Sequence, residues 1–416
     1  MVSGKVSVED SISLSQVISA IRLAGANTRP EISRVTGLSR TLVTKHVDIG
    51  VALGLLHEGE LGVSTGGRAP RLLRFNKENG VLLLAELGAS GMSIGKSDLL
   101  GNIGEIIEVA IDIAEGPEKV LTEVEKAFER LMLNEDSRLW GIGIGLPGPV
   151  EFATGVPMSP PIMPGWDKYP VRNRFMTAYN VPVWIDNDVN LMALGEVTRS
   201  NESKYRELIY IKIGSGIGAG IITHGQLHRG AQGCAGDIGH IAISEPNETI
   251  CRCGNTGCLE AIAGGAALAR DAREAAIDHR SKFLSTRLKK NGRLVARDVI
   301  EGATHGDNWS VEAITTAGRH VGRILATLVN FHNPSLVVIG GGVSSAGDLL
   351  LASIRETVYR RSLPLATRDL EIRLGEMGHR AGLKGAAEMV LSELFQPNIF
   401  KQWAERGYPR LPINLN

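Results

Sequence analysis

The sequence predicts an α/β body with a cleft between two lobes, preceded by a small α+β winged helix-turn-helix module. Two observations carry this. From residue 79 onward, apolar strands end in Gly-rich turns at widely separated places, with helical stretches between them. That is the pattern of an α/β fold whose glycine loops converge on one phosphate-accepting cleft. Before residue 79, three short helical segments are followed by a hairpin with a Gly-Gly tip, which is the form of a winged helix-turn-helix. The boundaries read as 1–78 for the module, 79–188 plus about 383–396 for the first lobe, 189–382 for the second, and 397–416 for a C-terminal tail.

Composition agrees with a globular chain of roughly two to three domains: 416 residues, 43% apolar and 22% charged. Formal net charge is zero, which taken alone argues against nucleic acid. The charge is unevenly spread, however. Residues 1–80 hold ten Lys and Arg against seven Asp and Glu, a net of +3, and the remainder carries −3. A modestly basic N-terminal segment is compatible with a DNA-reading head. No apolar run reaches the ~18–20 residues that cross a bilayer, and no basic region with an apolar core opens the chain. No membrane partner and a cytoplasmic location are expected.

In the head, Leu14, Val17, Ile18 and Ile21 share one face of a helix that Gly25 closes. Thr28-Arg-Pro-Glu31 has the form of a capping box and starts a second helix, with Ile32 and Val35 inward and Gly37 at its end. Ser39 is a good N-cap for a third helix, with Val43, Val47 and Val51 inward and Gly54 as its stop. Gly50 inside that helix should cost ~1 kcal/mol relative to Ala. Leu55–Gly59 reads as a short strand and turn, and residues 63–75 as the wing. Ser39, Arg40, Thr41, Thr44 and Lys45 then form the face expected to enter a major groove. Arg68 at the wing tip is a candidate for a narrow minor groove.

In the body, strands are expected at 81–88, 92–98 (alternating), 139–146, 181–186, 208–213 and 335–340, with helices at 120–133, 311–331 and 382–395. The last twenty or so residues show no periodicity. Gly214–Gly220 has the form of a phosphate-cradling turn, a tight β-hairpin being the other reading. Asp188 follows a buried strand and is placed to accept a proton from a substrate hydroxyl, with Asn187 beside it for neighbouring hydroxyls; turn chemistry is the alternative for this pair.

All four cysteines lie at 234–258. Cys251, Cys253 and Cys258 with His240 supply three thiolates and one imidazole, a closed tetrahedral set for structural zinc. Such a zinc would hold the loop that presents Asp237, His240 and Glu260. Cys234 stands apart and reads as a small buried residue.

The run Ala235–His240 followed by Cys251–Glu260 resembles the signature of the ROK family (repressors, open reading frames, kinases). Matching motifs recur at Gly141–Val150, Asp186–Asn190, Gly214–Gly220 and Gly340–Gly342. The resemblance implies a two-lobed, actin-like fold of the sugar-kinase type. It implies that Asp188 is the base in a kinase, and that Asn187, Asp188, Asp237, His240 and Glu260 bind the sugar. It places zinc on His240, Cys251, Cys253 and Cys258. Were Mg-ATP to bind, its phosphates would meet Gly88, Ser90, Gly214, Ser215, Gly216 and Gly341.

Two departures count against phosphoryl transfer. The first phosphate loop, Asp-x-Gly-Gly-Thr in family kinases, is here Glu86-Leu-Gly88-Ala89-Ser90, and the usual Glu-x-Gly-His is Asp237-Ile-Gly-His240. The expectation is a sugar-responsive regulator, a repressor, that binds inverted-repeat operator DNA as a homodimer or tetramer and takes a sugar or sugar phosphate between its lobes. The alternative is an active ATP-dependent sugar kinase with a DNA-binding appendage.

Overall fold

The computed structural model describes residues 8–61, 71–133, 135–199, 205–243 and 249–415. The head consists of α1 (Val8–Arg22), α2 (Arg29–Thr36), α3 (Arg40–Ala52) and the antiparallel pair β1 (Leu56–Leu61) and β2 (Arg71–Phe75). The capping box forms: Thr28 Oγ1 accepts from Glu31 N–H at 3.4 Å, and Glu31 Oε2 accepts from Thr28 N–H at 3.1 Å. Gly37 ends α2 in the left-handed region. The strand at Leu55–Gly59 runs on through the expected turn to Leu61, with a register shift between Glu58 and Leu61. The wing tip with Arg68 lies outside the described residues.

Two inward positions in the head are corrected. Val35 is 52% exposed and Val51 38%. At about 100° per residue, Val35 stands about 60° round α2 from Ile32, and Val51 about 80° round α3 from Val43. The buried seam of α3 is Val43, His46, Val47 and Gly50, spaced i, i+3, i+4, i+7. Gly50 is therefore a packing residue and not a flaw: a Cβ there would lie 2.7 Å from Leu56 Cδ1.

The first lobe contains β3 (Val81–Leu87), β4 (Met92–Ser97), β5 (Ile103–Val109), α4 (Pro117–Met132) and β6 (Leu139–Leu146). A short pair follows, β7 (Val150–Glu151) and β8 (Val156–Pro157), then α5 (Val171–Tyr179) and β9 (Val183–Asn187). Helix α6 (Asp188–Arg199) leads to the second lobe, which has β10 (Leu208–Ile213), β11 (Ile217–Thr223) and β12 (Gln226–Leu227). Its helices are α7 (Leu259–Ala263), α8 (Gly265–Ile277), α9 (Lys282–Asn291), α10 (Ala296–Thr304) and α11 (Asn308–His332). Then come β13 (Leu336–Gly340), α12 (Asp348–Arg361), α13 (Pro364–Thr367) and β14 (Glu371–Leu374). The chain ends with α14 (Arg380–Leu394) and α15 (Pro397–Trp403).

The two five-stranded sheets repeat one topology, β5-β4-β3-β6-β9 and β12-β11-β10-β13-β14. In each, the first three strands form an antiparallel meander, and the last two add in parallel to the first. β4 is buried on both faces rather than alternating, because α4 covers one side and α14 the other. α4 and α5 pack one face of the first sheet; α7, α8, α11 and α12 pack one face of the second.

Between the sheets run α6 and α14, in contact at their backbones: a Cβ on Gly385 would stand 1.7 Å from Leu191 O. The end of the chain is not a tail. Ile399, Phe400 and Trp403 of α15 are buried in one continuous core with Leu14, Val17 and Ile18 of α1 and with Trp140 of β6. Phe400 meets Trp403 edge-on at 4.7 Å, and Trp403 meets Trp140 at 5.2 Å. The head is thus packed on the body through the C-terminal segment. No helix among the described residues is long and apolar enough to cross a membrane.

Candidate functional site

A cleft of about 1330 Å³ opens between the lobes. Its walls come from strand ends and the turns that follow them, because the duplicated topology points the ends of β3, β6, β9 and β10 at one gap. Asn187, Asp188, Asp237, His240, Glu260, Gly88, Ser90, Gly214, Ser215 and Gly216 all line it. Gly341 does not; it packs against the end of β10, where a Cβ would meet Ile213 O at 2.5 Å. The Gly214–Gly220 run divides. Gly214–Gly216 is the turn, and the remainder is strand β11, paired with β10.

The second lobe supplies the metal-ligating cluster. Asp237 precedes a short 3-10 turn, Ile238–His240, that faces the loop bearing the cysteines. The ligand atoms of His240, Cys251, Cys253 and Cys258 all lie within 4.8 Å of one another. His240 Nδ1 is 3.5 Å from Cys251 Sγ, and Cys253 Sγ is 3.7 Å from Cys258 Sγ. A tetrahedral metal bonded to sulfur at about 2.3 Å would hold two sulfurs about 3.8 Å apart, so the donor set and its spacing fit such an ion. Nδ1 faces the thiols while Nε2 faces Asp237 Oδ1 at 3.7 Å. One imidazole can thus serve both metal and cleft. Glu260, at the start of α7, has one oxygen 3.6 Å from Cys251 Sγ and the other accepting from Ile217 N–H at 3.4 Å. It ties the cysteine loop to the Gly-rich turn. Cys234 is exposed and not buried, since it rides a turn between Gly233 and Gly236, both with positive φ.

Across the gap, Asp188 opens α6 and is 2% exposed. Its carboxylate is ion-paired with Lys212 Nζ. Burial works against the Lys212 charge, but Asp188 and Glu86 outweigh it and hold the ammonium above its ordinary value. Glu86 is buried, and its Oε2 has no hydrogen-bond partner among the described residues. Burial pushes its carboxyl up to about 8, Lys212 opposing and Asp188 and Glu108 adding to the rise. Asn187 spends its amide locally: Oδ1 accepts from Val189 N–H at 3.0 Å, and Nδ2 donates to Gly148 O at 3.0 Å. Lys212 is a residue sequence reasoning missed. Its signal was a lone lysine in the otherwise apolar strand Leu208–Ile213, just before the turn.

On the head, Ser39, Arg40, Thr41, Thr44 and Lys45 are all exposed. Their roles differ. Ser39 Oγ accepts from Leu42 N–H at 3.3 Å and so caps α3. Lys45 Nζ is ion-paired with Asp10 at 2.6 Å. Arg40, Thr41 and Thr44 project freely around Leu42, itself 39% exposed, an apolar group that suits a thymine methyl.

Comparison with known proteins follows the same division of the chain. The ROK family profile matches residues 106–393. The xylose repressor of Caldicellulosiruptor bescii is 32% identical over 372 residues, 88% of this chain and 92% of that protein. The glucokinase of Halalkalibacterium halodurans is 33% identical over 310 residues, 72% of this chain and 94% of its own. Among solved structures, a ROK family transcriptional regulator, a homologue of the E. coli MLC protein, superposes with a TM-score of 0.80 at 26% identity, covering 96% of this chain and all of the other. A ROK family glucokinase from Streptomyces griseus, in complex with glucose and AMPPNP, gives 0.64 at 28% identity over 74% of this chain and 99% of its own.

Proposed function

The chain belongs to the ROK family, and on that footing we propose that it is a sugar-responsive transcriptional repressor. The observation that carries this reading is the presence in one chain of a helix-turn-helix head and a sugar-kinase-type cleft, sharing one continuous core. The relative and the solved structure that extend over the head are a repressor and a regulator; the kinases match only about three quarters of the chain.

In this reading Arg40, Thr41 and Thr44 meet base edges, with Ser39 and Lys45 setting the helix and its approach. Two heads on a homodimer or tetramer read an inverted repeat. A sugar enters between the lobes. Asn187 and Asp188 take hydroxyls from one side; Asp237, His240 and Glu260 take them from the other. His240, Cys251, Cys253 and Cys258 would fill all four positions of a zinc ion, which would then supply rigidity and no open site for chemistry. His240 would bind it through Nδ1 and keep Nε2 toward Asp237.

The chain's own residues argue against ATP-dependent turnover. One oxygen of Asp188, where the resemblance puts the general base, is engaged by Lys212. Glu86 stands where family kinases carry the Asp of the first phosphate loop, and the Ala89 methyl occupies space that glycine would leave to phosphate.

Thermal shift with a panel of pentoses and hexoses, D-xylose and D-glucose among them, tests the reading. A bound sugar at a hundred times its Kd stabilises by about 2.7 kcal/mol, and the same sugar should weaken binding to the DNA upstream of the gene. Sugar phosphate made from ATP by the native protein, and not by Asp188→Asn, would establish the kinase instead.

A further inference from the structure

We propose that Arg229 is the positioning residue that couples sugar binding to the DNA-reading head; this rests on the repressor reading above. Arg229 opens the strap from β12 to Asp237 and His240. By sequence the strap belongs to the second lobe, but it lies on the first. Arg229 Nε donates to Asp186 Oδ2 at 2.7 Å, and its guanidinium sits 3.7 Å from the centre of the Phe152 ring. Further on, a Cβ at Gly233 would meet Val150 O at 2.8 Å. Asp186 is 2% exposed and also accepts from Asn187 N–H at 2.7 Å and Asn190 Nδ2 at 2.8 Å. It therefore braces the segment that ends in Asp188. At the strap's other end, Arg229 O accepts from Ala235 N–H at 3.1 Å, two residues before Asp237. A single arginine thus ties the strap that carries Asp237 to the strand that ends in Asp188.

The same guanidinium acts toward the head. Glu393, in the last turn of α14, lies in the field of Arg229 and Arg172. Arg172 is itself buried and holds the carbonyls of Phe152 and Ala153. Contact carries the same link: Asp186, held by Arg229, also accepts from Asn190 of α6, and the next residue, Leu191, has its carbonyl packed on Gly385 of α14. Two residues past Glu393, Phe395 anchors the head. Its carbonyl accepts from Ser15 Oγ of α1 at 2.6 Å, Arg22 lies 5.3 Å over its ring, and Phe75 of β2 meets it edge-on at 5.9 Å. Drawing Asp237 and His240 onto a sugar moves the strap. The Arg229–Asp186 contact passes that movement to α6, and the α14 end that carries the head shifts with it. Packed interfaces of this kind respond by switching between discrete arrangements.

The test separates binding from coupling. Sugar affinity is measured by calorimetry with D-xylose and D-glucose. Affinity for the DNA upstream of the gene is measured by fluorescence anisotropy with and without the sugar, for the native chain, Arg229→Gln, Arg229→Lys and Glu393→Gln. A native response of about 5–150-fold is expected. Arg229→Gln should bind sugar and DNA as the native chain does, yet lose the response. Arg229→Lys, which keeps the charge, should restore part of it. Glu393→Gln should uncouple from the head side, and reports independently should Arg229→Gln not fold. A full response in Arg229→Gln or Glu393→Gln overturns the inference and leaves the repressor reading standing. Sugar affinity lost in step with the response overturns it too, as the mark of a merely structural role. A native chain that binds sugar with no change in DNA affinity overturns the repressor reading and the inference together.

Discussion

The two halves of the cleft have been treated differently. On one side, His240, Asp237 and Glu260 converge on a four-ligand cluster whose spacing fits a tetrahedral metal. On the other, the base position is engaged: Lys212 holds Asp188, and Glu86 is buried beside them with an unpartnered oxygen. In the repressor reading proposed above, the first half recognises a sugar and the second does not transfer phosphate. A cleft that binds and does not turn over retains its ligand, and retention is what a sensor needs.

The half that carries the His240 and cysteine cluster breaks most readily there. Cys258→Ala should reduce bound zinc from one ion per chain to none, by elemental analysis, and abolish sugar binding, because structural zinc contributes on the order of 10 kcal/mol to local folding. If sugar affinity survives without metal, the division of labour drawn here is wrong. On the other side, Lys212→Met leaves Asp188 and Glu86 as buried carboxylates without a cation. Breaking such a pair costs about 3–5 kcal/mol, read as a fall in Tm at pH 8 and a smaller fall at pH 5, where the carboxyls can take up protons.

Glu86 makes the same comparison through pH. Its folded-state value of about 8 lies above the ordinary carboxylate range, so the folded state holds a proton that the unfolded state has released. The stabilisation is fully present below the ordinary range and is lost as pH rises to 8, by no more than about 5 kcal/mol at 1.36 kcal/mol per pH unit. Glu86→Gln, which mimics the protonated form, should flatten that slope in denaturant titrations between pH 5 and 8. An unchanged slope would mean that the lost stability comes from elsewhere. The smallest effect lies in the head: Arg40→Ala should cost about 1–3 kcal/mol of operator affinity and relax the choice of base at one position, while leaving sugar affinity in the cleft unchanged.

What the sequence disclosed tracks how local the cause is. The caps at Thr28 and Ser39 and the stop at Gly37 are decided by neighbouring residues, and they form as read. The cysteines and His240 were legible because few other roles suit three thiols and an imidazole at that spacing, and the chain brings them together. The failures are tertiary. The apolar pattern picks Val43, Val47 and Val51 as the α3 seam; the fold keeps the first two and adds His46 and Gly50, the glycine being packed against Leu56 of the neighbouring strand. Helix α15 has only seven residues, too few to show a period, so its burial under the head could not be seen. The Lys212–Asp188 pair joins residues 24 apart across the cleft, and no local pattern announces it.

In the proposed function, sugar occupancy alone, without phosphoryl transfer, sets DNA affinity. The most direct test titrates a sugar into the complex of the protein with the DNA upstream of its gene, with and without Mg-ATP, and follows both DNA release and sugar phosphate. The account predicts release at the same sugar concentration in both arms and no sugar phosphate. Release that requires ATP, or sugar phosphate that accumulates with native protein and not with Asp188→Asn, would contradict it.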